Sequence, residues 1–187
     1  MSIDYIVYTK DITSFSIKNC EKYISSLGLD IEIHPEYEPF SHTGFLPIRL
    51  YGNFISEIFN EKSFLSGFEI CLNQYRPIPA AKTQMGLFKK IFEKKVSQQQ
   101  IPLDNAIKDA SHYFSITCSS ADSFERLLSY AFSAYLCKYC SAIFDDPQTS
   151  RFLDNEDLLV TEVNAIIDNL KIMCQNKQLL THNFIAW

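Results

Sequence analysis

Twice along this 187-residue chain, the apolar pattern passes from a strand's two-residue period to the helical period and back again. That alternation confines the fold to a sheet with helices packed on it. In the first unit, residues 3–8 (Ile-Asp-Tyr-Ile-Val-Tyr) are almost wholly apolar and rich in β-formers, the pattern of a strand covered on both faces. Thr13 or Ser14 can cap a helix over 15–27, where Ile17, Cys20, Ile24 and Leu27 recur at three- and four-residue steps. Gly28 stands where a left-handed terminating residue is wanted. Residues 30–34 alternate as a second strand, and a right-handed crossover with parallel pairing is the expectation.

The second unit follows the same logic. Phe114, Ile116 and Cys118 alternate over 113–119, Ser120 can cap a helix through Tyr139, and 142–144 is a short strand. The inner stripe of that helix reads Phe124, Leu128, Ala131 and Tyr135. Asp145 to Thr149 is turn chemistry, with 151–153 as the returning arm. Asn155 or Asp154 caps a last helix, whose first turn places Glu156 and Asp157 at the positive end of the dipole. Leu159, Val163, Ile166, Leu170 and Met173 run down one of its faces.

Between the units, Leu46, Ile48 and Leu50 alternate, and Pro47, lacking an amide donor, argues for an edge strand or a strand start. Phe68, Ile70 and Leu72 mark another strand, and 53–65 fits a short helix or a hairpin arm. Met85, Phe88, Phe92 and Val96 make a helical stripe, and Pro102 can open a helical turn toward Ala110. The order is β-α-β-β-β-(α)-β-α-β-β-α. We expect the α+β class, a mixed sheet with helices packed on it, in one domain over 1–187. Two subdomains, 1–76 and 84–187, are the alternative.

Five glycines, no two closer than Gly44 and Gly52, exclude a dinucleotide G-x-G-x-x-G, a Walker loop and a G-x-S-x-G elbow. No cationic leader precedes an apolar run, and no window approaches the ~18 apolar residues of a membrane span. The expected compartment is the cytosol, and the six cysteines are expected to be thiols.

The net charge of −5 is unevenly spread. Residues 82–95 hold five lysines against Glu93, whereas residues 145–168 hold seven acids against Arg151. Asp30, Glu32, Glu36 and Glu38 form a smaller acidic run. Such a surface repels nucleic-acid phosphates and attracts basic partners.

Candidate chemistry is sparse. Cys137-Lys-Tyr-Cys140 closes a helix, the wrong pole for a redox pair, and no second soft pair stands at zinc spacing, so these read as buried thiols. His34 and His42 flank Glu36 and Glu38 at a spacing that matches no fixed metal geometry. Adjacent Asp145 and Asp146 point apart in a strand and do not converge as catalytic carboxylates must. Glu93-Lys94-Lys95 lies in a helical pattern, unlike the strand-borne E-x-K of metal nucleases. The apolar end Asn183–Trp187, with the only Trp, suggests docking on the body or a partner anchor.

Residues 66–72 (Ser-Gly-Phe-Glu-Ile-Cys-Leu) and 142–154 (Ala-Ile-Phe-Asp-Asp-Pro-Gln-Thr-Ser-Arg-Phe-Leu-Asp) look like strand segments and a D-P-Q-T turn of small bacterial proteins. In size, acidity and lack of a catalytic kit, the whole chain resembles the immunity proteins of toxin–immunity systems, those of contact-dependent growth inhibition included. The resemblance is one of class and assigns no residue roles by position. It implies a cytoplasmic protein, not an enzyme, that binds and neutralises a cognate toxin domain. No cofactor or metal, and neither nucleic acid nor a membrane, is expected as its partner. Many such toxins are basic nucleases, and an acidic inhibitor would be steered onto their clefts, its carboxylates standing in for substrate phosphates. The residues expected to bind are Asp145, Asp146, Asp154, Glu156 and Asp157, with Glu36, Tyr37 and Glu38 second. Two alternatives are an enzyme with a dispersed, metal-assisted site through His34, His42 and Glu36, and a structural or regulatory module that oligomerises through Phe184 and Trp187.

Overall fold

The structure, a computed structural model, describes residues 2–52, 63–76 and 105–176. Of the short helix or hairpin arm expected at 53–65, only the last three residues are described, and they open a strand; the basic helix of Met85 to Val96 and the Asn183–Trp187 tail lie outside the described residues. Strand β1 (Ser2–Thr9) is followed by a 3-10 turn (Ile12–Ser14), helix α1 (Ile17–Ser26), β2 (Asp30–Ile33), β3 (Thr43–Tyr51) and β4 (Ser63–Gln74). Then come β5 (His112–Ser119), α2 (Ser123–Tyr139), β6 (Ile143–Asp146), β7 (Arg151–Leu153) and α3 (Glu156–Gln175). The fold is α+β, as expected.

The seven strands form one sheet in the order β2-β3-β4-β5-β1-β6-β7. Every ladder in it is antiparallel, where a mixed sheet was expected. The parallel β1–β2 pairing is therefore corrected. Alternation across the ladders leaves β1 and β2 pointing the same way, but with β3, β4 and β5 between them. Likewise, β5 and β6 run the same way with β1 inserted between. Each strand-helix-strand unit thus crosses over to a strand of like direction that is not a neighbour. The sequence-local partners win instead, β2 with β3 and β6 with β7 across short returns.

Local chemistry sets the helix ends. Asp11 accepts from the Thr13 amide at 3.0 Å and holds the 3-10 turn, so the cap of α1 falls to Ser16 rather than Thr13 or Ser14. Asp122, not Ser120, caps α2, taking the amides of Phe124 (2.9 Å) and Glu125 (3.2 Å). Asn155 caps α3 through the Asp157 amide at 2.7 Å. Gly28 takes φ +86 immediately after the Leu27 cap of α1.

The three described helices lie on one side of the sheet. That side carries Tyr5, Val7, Leu46, Ile48, Phe68, Ile70, Phe114, Ile116 and Phe144, all buried. Helix α2 sits at the centre, against the strands below and against α1 and α3 above. It is consequently buried on all sides rather than along one stripe, with Phe124, Leu127, Leu128, Ala131, Phe132, Ala134, Tyr135 and Leu136 fully inside. Its two buried serines close their hydroxyls on the helix itself, Ser129 to the Glu125 carbonyl and Ser133 to that of Ser129, both at 2.7 Å. The opposite side of the sheet is more polar. Thr117 there donates to Asp4 across the β1–β5 ladder at 2.7 Å, and a small second cluster joins Ile107, Ala110 and Ile143.

Pro47 sits inside the sheet, not at an edge. Its carbonyl accepts from the His34 amide at 3.2 Å, so its missing donor also faces β2, one step beyond that strand's last paired residue, Ile33. On the β4 side it faces Gly67.

The antiparallel alternation brings certain connections to one end of the sheet. The end at which β1 finishes also receives the β2–β3 loop, the C-terminus of α2 and the N-terminus of α3. The turn between β6 and β7 belongs to the other direction of travel.

Candidate functional site

That shared end gathers the more exposed of the expected binding residues. Asp154 and Asp157 are exposed there, and Glu156 is half-buried. Helix α2 ends beside them. Lys138 places its Nζ 3.6 Å from Glu156 Oε1, 5.3 Å from the ring centre of Tyr23 and 5.9 Å from that of Tyr139. Tyr23, on α1, meets Tyr139 edge-on at 5.8 Å, and Tyr135 packs on Tyr139 at 5.2 Å. Tyr139 is 47% exposed and Leu158, in the first turn of α3, 48%. Burial pushes the Tyr23 hydroxyl up to about 12, with the negative charge of Glu156 next in weight.

Glu36 and Glu38 are exposed on the β2–β3 loop at the same end, but Tyr37 is not presented with them. Its ring is a core residue, 4% exposed and beside Cys20 of α1, and burial raises its hydroxyl well above the usual range. Above it, His34, Glu36, His42 and Phe45 line a cavity of 230 Å³. Both imidazoles there build the loop. The Glu36 amide donates to His34 Nδ1 at 3.2 Å, and His42 pairs with the Phe45 carbonyl at 3.0 Å while its ring stands edge-on to Tyr37. Among the described residues, no three His, Cys, Asp or Glu side chains are placed to share a metal ion.

Asp145 and Asp146 stand apart from this group. Strand β6 extends through both, so the pair points to opposite sides of the sheet. Asp146 faces the helices and holds the following turn, accepting from the amides of Gln148 and Thr149 and the Thr149 hydroxyl at 2.8 Å. Asp145 points the other way, between Ile6 of β1 and Phe152 of β7, and is only 9% exposed. No hydrogen bond or ion pair to its carboxylate occurs among the described residues. Burial, and secondarily the charge of Asp146, pushes it up to about 6 from 3.8. The folded state therefore holds this proton more tightly than the unfolded chain does. Stability from this group is greatest below about pH 4 and is lost as pH rises toward 6. Asp145→Asn should stabilise the protein by about 1–2 kcal/mol at pH 7 and leave it nearly unchanged at pH 4. Urea unfolding at the two pH values reads this directly, and an equal effect at both would contradict it.

The six cysteines are free. Cys137 and Cys140 are core residues at the end of α2, and burial pushes each thiol up to about 12, far from a reactive thiolate. The motif thus carries structural thiols, while the two residues inside it, Lys138 and Tyr139, belong to the surface cluster. Sequence reasoning passed over Lys138, Tyr139, Tyr23 and Leu158. The available signal was Tyr135 and Tyr139 four residues apart at a helix end, with a lysine between them.

No helix among the described residues is long and apolar enough to cross a membrane. In comparisons with protein-family models, curated proteins and solved structures, nothing matches this chain.

Proposed function

We propose that this chain is a cytosolic immunity-type protein, not an enzyme, that binds a basic toxin domain and blocks its active site. The binding surface is the end of the fold that carries Asp154, Glu156 and Asp157 together with Tyr139 and Leu158. One observation carries this reading: two large side chains, Tyr139 and Leu158, stand about half exposed at the end of the fold that also carries Asp154, Glu156 and Asp157. Carboxylates steer a basic partner in, and aromatic and aliphatic anchors slow its departure. Glu36 and Glu38, at the same end, extend the acidic field.

The test pairs this chain with the toxin domain encoded by the adjoining reading frame, measuring growth protection and affinity at low and high salt. The triple variant Asp154→Lys, Glu156→Lys, Asp157→Lys should weaken binding about a hundredfold and flatten its salt dependence. Unchanged protection and affinity would sink the electrostatic reading. Failure of the unmodified chain to protect would sink the immunity reading itself.

A further inference from the structure

The corner where α1, α2 and α3 meet already holds a cation. Lys138 Nζ lies over the rings of Tyr23 and Tyr139 and beside Glu156. A lysine satisfies this corner incompletely. The Tyr23 side chain is 6% exposed, and its hydroxyl has no hydrogen-bond partner among the described residues. A buried hydroxyl left without a partner is destabilising, so the corner retains an unused polar contact. Lys138 itself is held loosely, with 42% of its side chain exposed, and a solvated pair of this kind contributes little.

A guanidinium differs from an ammonium in the two respects that matter here. Its flat face stacks on an aromatic ring, and its five donors serve more than one acceptor at once. We propose that this corner is an arginine receptor. In it, an arginine of a basic protein partner displaces Lys138, stacks on Tyr139, and donates to Glu156 and the Tyr23 hydroxyl. Lys138 is then a resident stand-in that keeps the rings and the carboxylate in place until the partner arrives. Asp157, exposed in the same first turn of α3, adds to the field that draws the guanidinium in. The proposal rests on the acidic-surface reading above and specifies which side chain of the partner it takes.

The test uses the full chain with two probes, an acetylated hexa-arginine amide and its hexa-lysine counterpart, titrated by calorimetry and by amide NMR shifts at low salt. Hexa-arginine should bind more tightly than hexa-lysine, with the largest shifts at Tyr23, Lys138, Tyr139 and Glu156. Lys138→Met, which removes the resident cation, should raise hexa-arginine affinity about threefold. Tyr139→Leu, at a half-exposed position that keeps its bulk, should lower that affinity about fivefold and abolish the preference over lysine. Equal binding of the two peptides, unaffected by Tyr139→Leu, overturns the receptor while leaving the acidic surface standing. Binding of neither peptide overturns the receptor too. The acidic-surface reading is then decided separately, by the triple charge reversal.

Discussion

Gly67→Ala will lower the unfolding free energy by at least about 3 kcal/mol. A Cβ built on Gly67 runs into the Leu46 carbonyl oxygen and lies 2.8 Å from the Phe45 ring. The ring could turn aside, but the oxygen belongs to the backbone of β3 and is fixed by the β3–β4 ladder. Gly67 faces Pro47 on β3. With proline's nitrogen turned toward β2, the two strands approach here as a non-hydrogen-bonded pair, the closer of the two antiparallel spacings. Adding a methyl group forces the central ladder apart. Gly28→Ala supplies the contrast. No atom lies within 4 Å of its added Cβ, and only the left-handed φ of +86 is penalised, a cost of about 1–2 kcal/mol. Urea denaturation of the two variants separates close approach from backbone strain. Similar losses for both would refute the steric account.

Phe132→Ala will cost about 4 kcal/mol. Phe132 is fully buried at the midpoint of α2, with its ring 5.5 Å from Phe68, 5.8 Å from Phe15 and 6.0 Å from Phe114. It joins the helix to β4, to β5 and to the segment entering α1, so its removal leaves a cavity bordered by three separate parts of the chain. None of them can close it without unseating the others. Phe132→Leu, which keeps most of the volume, should cost about 1 kcal/mol. A loss below about 2 kcal/mol for the alanine variant would mean that the cluster relaxes into the space.

The elements whose cause is local were legible in the sequence. Strand β1, helix α1 with Gly28 after it, and the Asn155 cap of α3 each follow from a few neighbouring residues. Pairing was not legible, because hydrophobic period reveals a strand but not its neighbour. The same limit misplaced Pro47: a missing amide matters only on the side it faces, and that side lies past the end of β2. Helix α2 read as amphipathic because nothing in its own sequence announces that α3 lies on its back. Asp145 and Asp146 read as turn residues, and Asp146 does hold the turn, but β6 runs two residues further than expected and takes Asp145 out of solvent. As for the site, Asp154, Glu156 and Asp157 were visible as charge. Their companions Tyr23, Lys138 and Tyr139 come from two other helices and meet the acids only once those helices pack.

The placement of β1 between β5 and β6 dictates when the sheet can be finished. Strand β1 is made before the other described strands yet lies fifth in spatial order, and both its neighbours are made on the order of a hundred residues later. At ordinary rates of synthesis, β1 therefore waits roughly 5–20 s with both edges unpaired. During that interval β2, β3 and β4 can assemble as a meander, whereas β1, with its apolar Ile-Val-Tyr run, offers two open edges to any other chain. Nascent chains are most vulnerable to wrong pairing before β5 emerges, and the sheet closes only once β5 and β6 have been made.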